Sequence, residues 1–195
     1  MKLIIASNNA GKIREYKQLL AGAGFDEVLS LKEAGIECDP EETGSTFEEN
    51  AAIKAHEIHK LCGCAALADD SGLMVDALGG EPGVYSARWL GLNDDKAKNA
   101  EILRRLEGKE GSERSARFVC AIHFIYADGT SVTAKGVCEG TIGKEPRGEN
   151  GFGYDPIFMY GDKSFAEIDS DTKNAVSHRG NALRELENKL NSGKS

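Results

Sequence analysis

Ala65-Ala66-Leu67-Ala68-Asp69-Asp70-Ser71-Gly72 is an apolar run that ends in two adjacent carboxylates and a pair of small residues. A short apolar run bounded by a turn signal reads as a buried strand, and open α/β sheets place their ligands at such strand ends. Successive strand residues face opposite ways, so only one of Asp69 and Asp70 can point into a given cleft. The same spelling also fits a plain strand end whose acids are solvated or cap the next turn. The rest of the chain decides between the two.

The segments around this strand alternate in type. Lys2 to Ala6 is a short β-like run, followed by Ser7-Asn8-Asn9-Ala10-Gly11-Lys12 and an amphipathic helix carrying Ile13, Tyr16, Leu19 and Leu20, stopping near Gly22 or Gly24. A second apolar patch, Phe25 to Leu31, leads to an acidic loop with Asp39, Glu41 and Glu42. Thr46-Phe47-Glu48-Glu49 spells a capping box before a helix with Ala51, Ala52, Ala55, Ile58 and Leu61 on one face. Glu49 therefore reads as a cap at least as well as a catalytic acid. After the Asp69-Asp70 strand come the turn Gly79 to Gly83, an aromatic segment Tyr85 to Trp89, and a solvent-facing helix over Asp94 to Leu106 capped by Asp94 or Asn93. Ala116 to Tyr126 and Ser131 to Val137 are β-rich and joined through Asp128-Gly129, a hairpin signal that breaks the simple βαβ alternation. A last helix is predicted from about Thr172 to Leu190, before a frayed Ser/Gly/Lys tail.

The 195 residues fit one large domain or two small lobes sharing a sheet; with no repeat and no linker, the reading adopted is one domain over 1–195. At 40% hydrophobic and 29% charged the composition is ordinary for a globular protein, and no apolar stretch reaches the roughly 18 to 20 residues that span a bilayer. The N-terminal apolar segment is too short for a signal peptide, so a cytoplasmic location is expected. The five cysteines form no C-x-x-C pair and read as reduced thiols. A net charge of −8 argues against binding a nucleic acid polymer through its backbone, so an anionic ligand would be small and accompanied by a cation.

Four constellations carry chemistry. Ser7 to Lys12 lies between strand and helix, where free N–H groups and a lysine attract phosphate, although no Walker motif is present and a capped turn would read alike. Glu41, Glu42, Asp69 and Asp70 are hard oxygen donors without nearby His or Cys, which suits magnesium; the alternative for the two glutamates is a solvated loop. Gly151-Phe152-Gly153-Tyr154-Asp155 puts an aromatic ring between glycines, fit either to stack a base or to bury in a tight turn. Ser177-His178-Arg179-Gly180 near the start of the final helix cannot bury three side chains on one face, so at least one should project outward. His and Arg there would donate to a 6-keto oxygen and reject a 6-amino group.

Taken in order, S-N-N-A-G-K, E-E-T-G-x-T-F-E-E-N-A, A-D-D-S-G-L, G-G-E-P-G-V-Y-S-A-R, G-F-G-Y-D-P-I-F and S-H-R-G-N-A-L, from Ser7 to Leu183, resemble the inosine/xanthosine triphosphate pyrophosphatase family. The resemblance implies an α/β fold, a long mixed twisted β-sheet with flanking helices forming two lobes around a central cleft. It implies a magnesium-dependent homodimer that hydrolyses non-standard purine nucleoside triphosphates (ITP, dITP, XTP) to the monophosphate and pyrophosphate. Carried onto this chain, it places the triphosphate on Ser7, Asn8, Asn9, Ala10, Gly11 and Lys12, with magnesium on Glu41 and Asp70. Asp70 also takes the role of proton acceptor, and Ser71 contacts the substrate. Phe152, Gly153, Tyr154 and Asp155 form the base pocket with Phe152 stacking, while Lys173, His178 and Arg179 close the nucleotide site.

One carboxylate that both holds a metal and accepts a proton is crowded, so Glu48, Glu49 or Asp69 are candidates to share the task. Asp69, facing away on the strand, is expected to be a structural acceptor supporting Asp70. Guanine also carries a 6-keto oxygen, so something further must read position 2. A pyrophosphatase for pyrimidine triphosphates and a non-catalytic nucleotide sensor are the competing readings.

Overall fold

The computed structural model describes residues 1–92 and 94–192. The elements in chain order are β1 (Lys2–Ile5), α1 (Ala10–Leu19), β2 (Glu27–Ser30), α2 (Phe47–Cys62), β3 (Ala65–Val75), α3 (Asp95–Arg105), β4 (Ser115–Ile125), β5 (Ser131–Ile142), β6 (Phe158–Tyr160), β7 (Lys163–Ser164), α4 (Ser170–Val176) and α5 (His178–Ser192). The strands form one seven-stranded sheet in the order β2-β1-β3-β4-β5-β6-β7. β1 pairs in parallel with β2 and with β3, whereas β6 pairs antiparallel with β5 and β7, so the sheet is mixed as expected. β4 and β5 are joined by the expected hairpin, where the Tyr126 N–H donates to the Thr130 carbonyl at 2.8 Å and Gly129 takes φ +86°.

The chain divides into two compact units, one of residues 1–70, 120–136 and 179–195, the other of residues 71–119 and 137–178. The boundaries fall inside β3, β4 and β5, so each of these strands supplies residues to both. The first unit packs Leu3, Ile5, Tyr16, Leu67, Ile122 and Leu186 on one side and Ile4, Ala55, Ile58, Ala66 and Ile125 on another. The second has its own core around Leu73, Trp89, Ile102, Phe118, Phe158 and Phe165.

Local signals account for the helix starts. Thr46 Oγ1 accepts the Glu49 N–H at 3.1 Å, and Glu49 Oε2 reaches back to the Thr46 N–H at 3.3 Å and the Ser45 N–H at 2.7 Å. Thr46→Ala should cost about 1 kcal/mol of stability, read as a lowered midpoint in urea. α3 is capped by Asp94, whose Oδ2 accepts the Ala97 N–H at 2.9 Å; the alternative cap, Asn93, lies outside the described residues, as does the tail from 193 to 195.

Three expectations are corrected. β3 does not end at Asp70, because Ser71-Gly72 is strand and the apolar run resumes with buried Leu73 and Val75, which need the extended backbone to reach the second core. β5 continues past Val137 to Ile142. The last helix is two: Ser177 is extended, at φ −68° and ψ 157°, and separates α4 from α5.

Candidate active site

The first unit assembles charge around the two aspartates of β3. At the end of β1, Ser7 Oγ accepts the Asn9 N–H at 3.2 Å and Asn9 Oδ1 accepts the Lys12 N–H at 3.0 Å, which caps α1. Asn8 Nδ2 donates to the Cys38 carbonyl at 3.0 Å and to Asp39 at 3.3 Å, tying the loop to the acidic segment. Ala10 and Gly11 open the first turn of α1, and Lys12 extends from it to lie 3.1 Å from Asp69 Oδ2.

Asp69 is 2% exposed and also faces Arg179 Nη2 at 3.4 Å and the Cys120 thiol at 3.7 Å. Arg179, itself 1% exposed, pairs through Nη1 with the buried Glu15 of α1 and sits over the Tyr16 ring. Burial alone would raise the Asp69 pKa, but the charges of Lys12, Arg179 and Lys54 outweigh it and hold the carboxyl well below the usual range. The Cys120 thiol is pushed up to about 12 by burial and by Asp69, so it stays protonated. Asp69 is thus a buried acceptor, and the groups that reach it are Lys12, Arg179 and Cys120.

Asp70 turns to a different set of partners. Asn50 Nδ2 donates to its Oδ2 at 3.0 Å, and the Gly44 N–H donates to Asn50 Oδ1 at 2.8 Å, which fixes the amide's orientation. A Cβ on Gly44 would meet Glu49 Cβ at 2.6 Å and Asn50 Oδ1 at 2.7 Å, so this approach requires glycine. Lys54 Nζ lies 3.7 Å from Asp70 Oδ1 and 2.5 Å from Glu42 Oε1. Burial raises the Asp70 pKa, and the pull of Lys54 and Lys12 does not cancel it. Lys54 would lose its proton more readily through burial, yet Asp69, Asp70 and Glu42 together raise its pKa. Two adjacent carboxyl groups with proton affinities pushed in opposite directions mark an assignment of roles.

Lys54 and Asn50 were missed by the sequence reading, though their i, i+4 spacing on α2 is visible in it. Glu41 is exposed, and it is Glu42 that shares Lys54 with Asp70. Glu49 is the helix cap, and Glu48 pairs with Lys135 at 2.8 Å, so both candidate helper acids are committed elsewhere.

The second unit builds the aromatic turn. Asp155 Oδ2 accepts the Phe152 N–H at 2.8 Å and the Lys173 ammonium at 2.7 Å, and Lys173 Nζ stands 5.1 Å from the Phe152 ring centre. Gly151 is obligatory, since at φ +76° its Cβ would lie 2.0 Å from Asp155 Oδ2. Phe152 keeps a partly exposed ring, whereas Tyr154 is 5% exposed, belongs to the core and donates its hydroxyl to the Ser86 carbonyl at 2.8 Å. Ser71 is half-buried on β3.

The expectation that one of Ser177, His178 and Arg179 must project outward fails, because all three are buried, at 0%, 4% and 1% exposure. The break at Ser177 removes the single helix face on which that expectation rested. His178 stacks on Phe118, with ring centres 4.6 Å apart and planes at 16°, in the second unit, while Arg179 belongs with Glu15 and Asp69 in the first.

The sequence profile of the Ham1 family matches residues 3–189. This chain belongs to the Ham1 family. A Ham1 relative from Exiguobacterium sp. named dITP/XTP pyrophosphatase is 53% identical over 190 residues, covering 96% of this chain and 95% of that one. A Bacillus subtilis protein of the same name is 50% identical over 186 residues, covering 94% and 93%. The solved Staphylococcus aureus Ham1 protein superposes with a TM-score of 0.84 at 42% identity, covering all of both chains. A Mycobacterium abscessus structure described as nucleoside-triphosphatase / dITP/XTP pyrophosphatase gives 0.75 at 44% identity, over 95% and 98%. Ham1 membership bears out the resemblance read from the six segments, and the mixed sheet with flanking helices is the fold of these neighbours. No helix among the described residues is long and apolar enough to cross a membrane.

Proposed function

We propose that this Ham1 family chain hydrolyses non-standard purine nucleoside triphosphates, ITP, dITP and XTP, to the monophosphate and pyrophosphate. The observation that carries the reading is the split of Asp69 and Asp70 into an anchor paired with Lys12, its proton affinity lowered, and a carboxyl of raised proton affinity held by Asn50. The names borne by the relatives support the choice of substrate.

In this reading Asp70 accepts the proton of the water whose oxygen attacks the α-phosphorus, and the bond from that phosphorus to the bridging oxygen breaks to release pyrophosphate. Asn50 keeps the carboxylate oriented, Lys54 offsets charge beside it, and Lys12, presented by Asp69, neutralises the departing pyrophosphate. Ser7, Asn8, Asn9, Ala10 and Gly11 form the loop that receives the phosphates at the start of α1.

The donor set fits magnesium. Asp70, Glu41 and Glu42 are hard oxygen donors, and Asp70 and Glu42 already share one cation, the Lys54 ammonium. Asp70 would hold the magnesium with Glu42, which meets the same Lys54 cation in the structure, or with Glu41, which the resemblance implies, and when bound it would polarise the phosphoryl oxygens.

For the base, Phe152 offers a stacking face, Lys173 and Asp155 hold its turn, and His178 supplies a donor for a 6-keto oxygen. Stacking on an aromatic ring is worth about 1–3 kcal/mol, so Phe152→Ala should raise the KM for ITP about ten-fold or more with a smaller change in kcat. Turnover of ITP, XTP, GTP and dTTP compared side by side tests the substrate class; a preference for dTTP would overturn it. The resemblance further supports a cytoplasmic homodimer, which sedimentation at micromolar concentration would read as twice the 20.9 kDa chain mass.

A further inference from the structure

Helix α3 carries two side chains that the chemistry above leaves unused. Asp95 and Asn99 stand one turn apart and take both polar groups of Gly153. Asp95 Oδ2 accepts the Gly153 N–H at 3.1 Å, and Asn99 Nδ2 donates to the Gly153 carbonyl at 3.1 Å. Gly153 follows Phe152 directly and lies at φ +63°, a conformation that glycine enters and leaves freely. Pinned at both groups to a helix, this residue cannot act as the pivot of the Phe152 turn. Lys98 braces the arrangement, pairing with Asp95 at 2.9 Å and donating to the Ala87 carbonyl at 3.1 Å.

Asn99 is 4% exposed, and its Oδ1 is buried without a hydrogen-bond partner among the described residues. An orphaned acceptor costs stability that a leucine of the same branched shape would not, so packing alone does not account for an amide at this position. Its donor to Gly153 does. Hypoxanthine and guanine share the 6-keto oxygen and differ by an amino group at C2, which a close pocket penalises by leaving that group unpaired. The penalty applies in full only where the pocket wall does not yield.

We propose that Asp95 and Asn99 are positioning residues that set selectivity against 2-amino purines by pinning the Phe152 turn. This rests on the reading of Phe152 as the base-stacking ring. The test is steady-state hydrolysis of ITP and GTP by Asn99→Leu, Asp95→Ala and Asp95→Asn. Asn99→Leu and Asp95→Ala should raise the KM for ITP several-fold with kcat within about two-fold, and lower the ITP-to-GTP ratio of kcat/KM by about ten-fold. Asp95→Asn, which keeps an acceptor for the Gly153 N–H, should retain the wild-type ratio. An unchanged ratio in Asn99→Leu and Asp95→Ala, or an equal fall in kcat for both nucleotides, overturns the proposal. Should Asn99→Leu not fold, the half-exposed Asp95 pair of variants decides alone. If Phe152→Ala leaves the ITP KM unchanged, the base-stacking reading falls and this proposal with it. If Phe152→Ala raises that KM while the α3 variants keep the ratio, only the present proposal falls.

Discussion

Asp70→Asn should lower kcat for ITP by about 10³-fold or more while leaving the affinity for the nucleotide within a few-fold of wild type. The substitution keeps the shape of the side chain and the packing of β3, but an amide accepts no proton from water and binds a divalent cation poorly. It also leaves a single neutral oxygen where the carboxylate offers one to the Asn50 amide at 3.0 Å and another to Lys54 at 3.7 Å, so the charge that Lys54 faces is lost. Binding should survive because Lys12, the loop from Ser7 and the Phe152 turn do not depend on Asp70. Single-turnover rates and equilibrium binding, measured on the same preparation, separate the two quantities. A variant retaining a tenth of wild-type turnover would remove Asp70 from the role of base.

Arg179→Met should be the most destabilising single change at the site, costing about 3–5 kcal/mol, because it strips a countercharge from two buried carboxylates at once. Glu15 and Asp69 are 7% and 2% exposed, and Arg179 pairs with both of them. The acid limb of the stability curve should report the same change. The folded pKa of Asp69 is depressed below its unfolded value of about 3.9, so this group contributes stability that is present above that pH and lost as pH falls through the depressed folded value. With Arg179 gone the depression shrinks, and the variant should lose less stability than wild type between about pH 5 and about pH 2. Urea unfolding at a series of pH values measures both effects. A variant as stable as wild type, or one with an unchanged acid limb, would show that the Arg179 pairs contribute little.

Much of this molecule is written in local signals. The capping box at Thr46 and Glu49, the Asn9 cap before Lys12 and the Asp128-Gly129 hairpin each follow from one or two residues whose side chains or dihedrals admit few alternatives. The alternation of Asp69 and Asp70 followed from strand geometry alone. What each carboxylate meets did not, since Lys12, Asn50, Lys54 and Arg179 reach β3 from three different helices. Ser71-Gly72 reads as a turn by composition but is held extended by the burial of Leu73 and Val75 on its far side. Likewise Ser177 carries no strong breaking signal, and the chain opens there so that His178 and Arg179 enter separate cores. In both places tertiary burial overrides local preference.

The proposed reaction is hydrolysis between the α- and β-phosphates of a 6-keto purine triphosphate lacking the 2-amino group. Incubating the full chain with magnesium and either ITP or GTP, and identifying the products by chromatography, tests it most directly. The expected result is IMP and pyrophosphate in equal amounts from ITP, with GTP consumed at least about ten-fold more slowly. Release of IDP and orthophosphate, or equal rates on the two nucleotides, would contradict it.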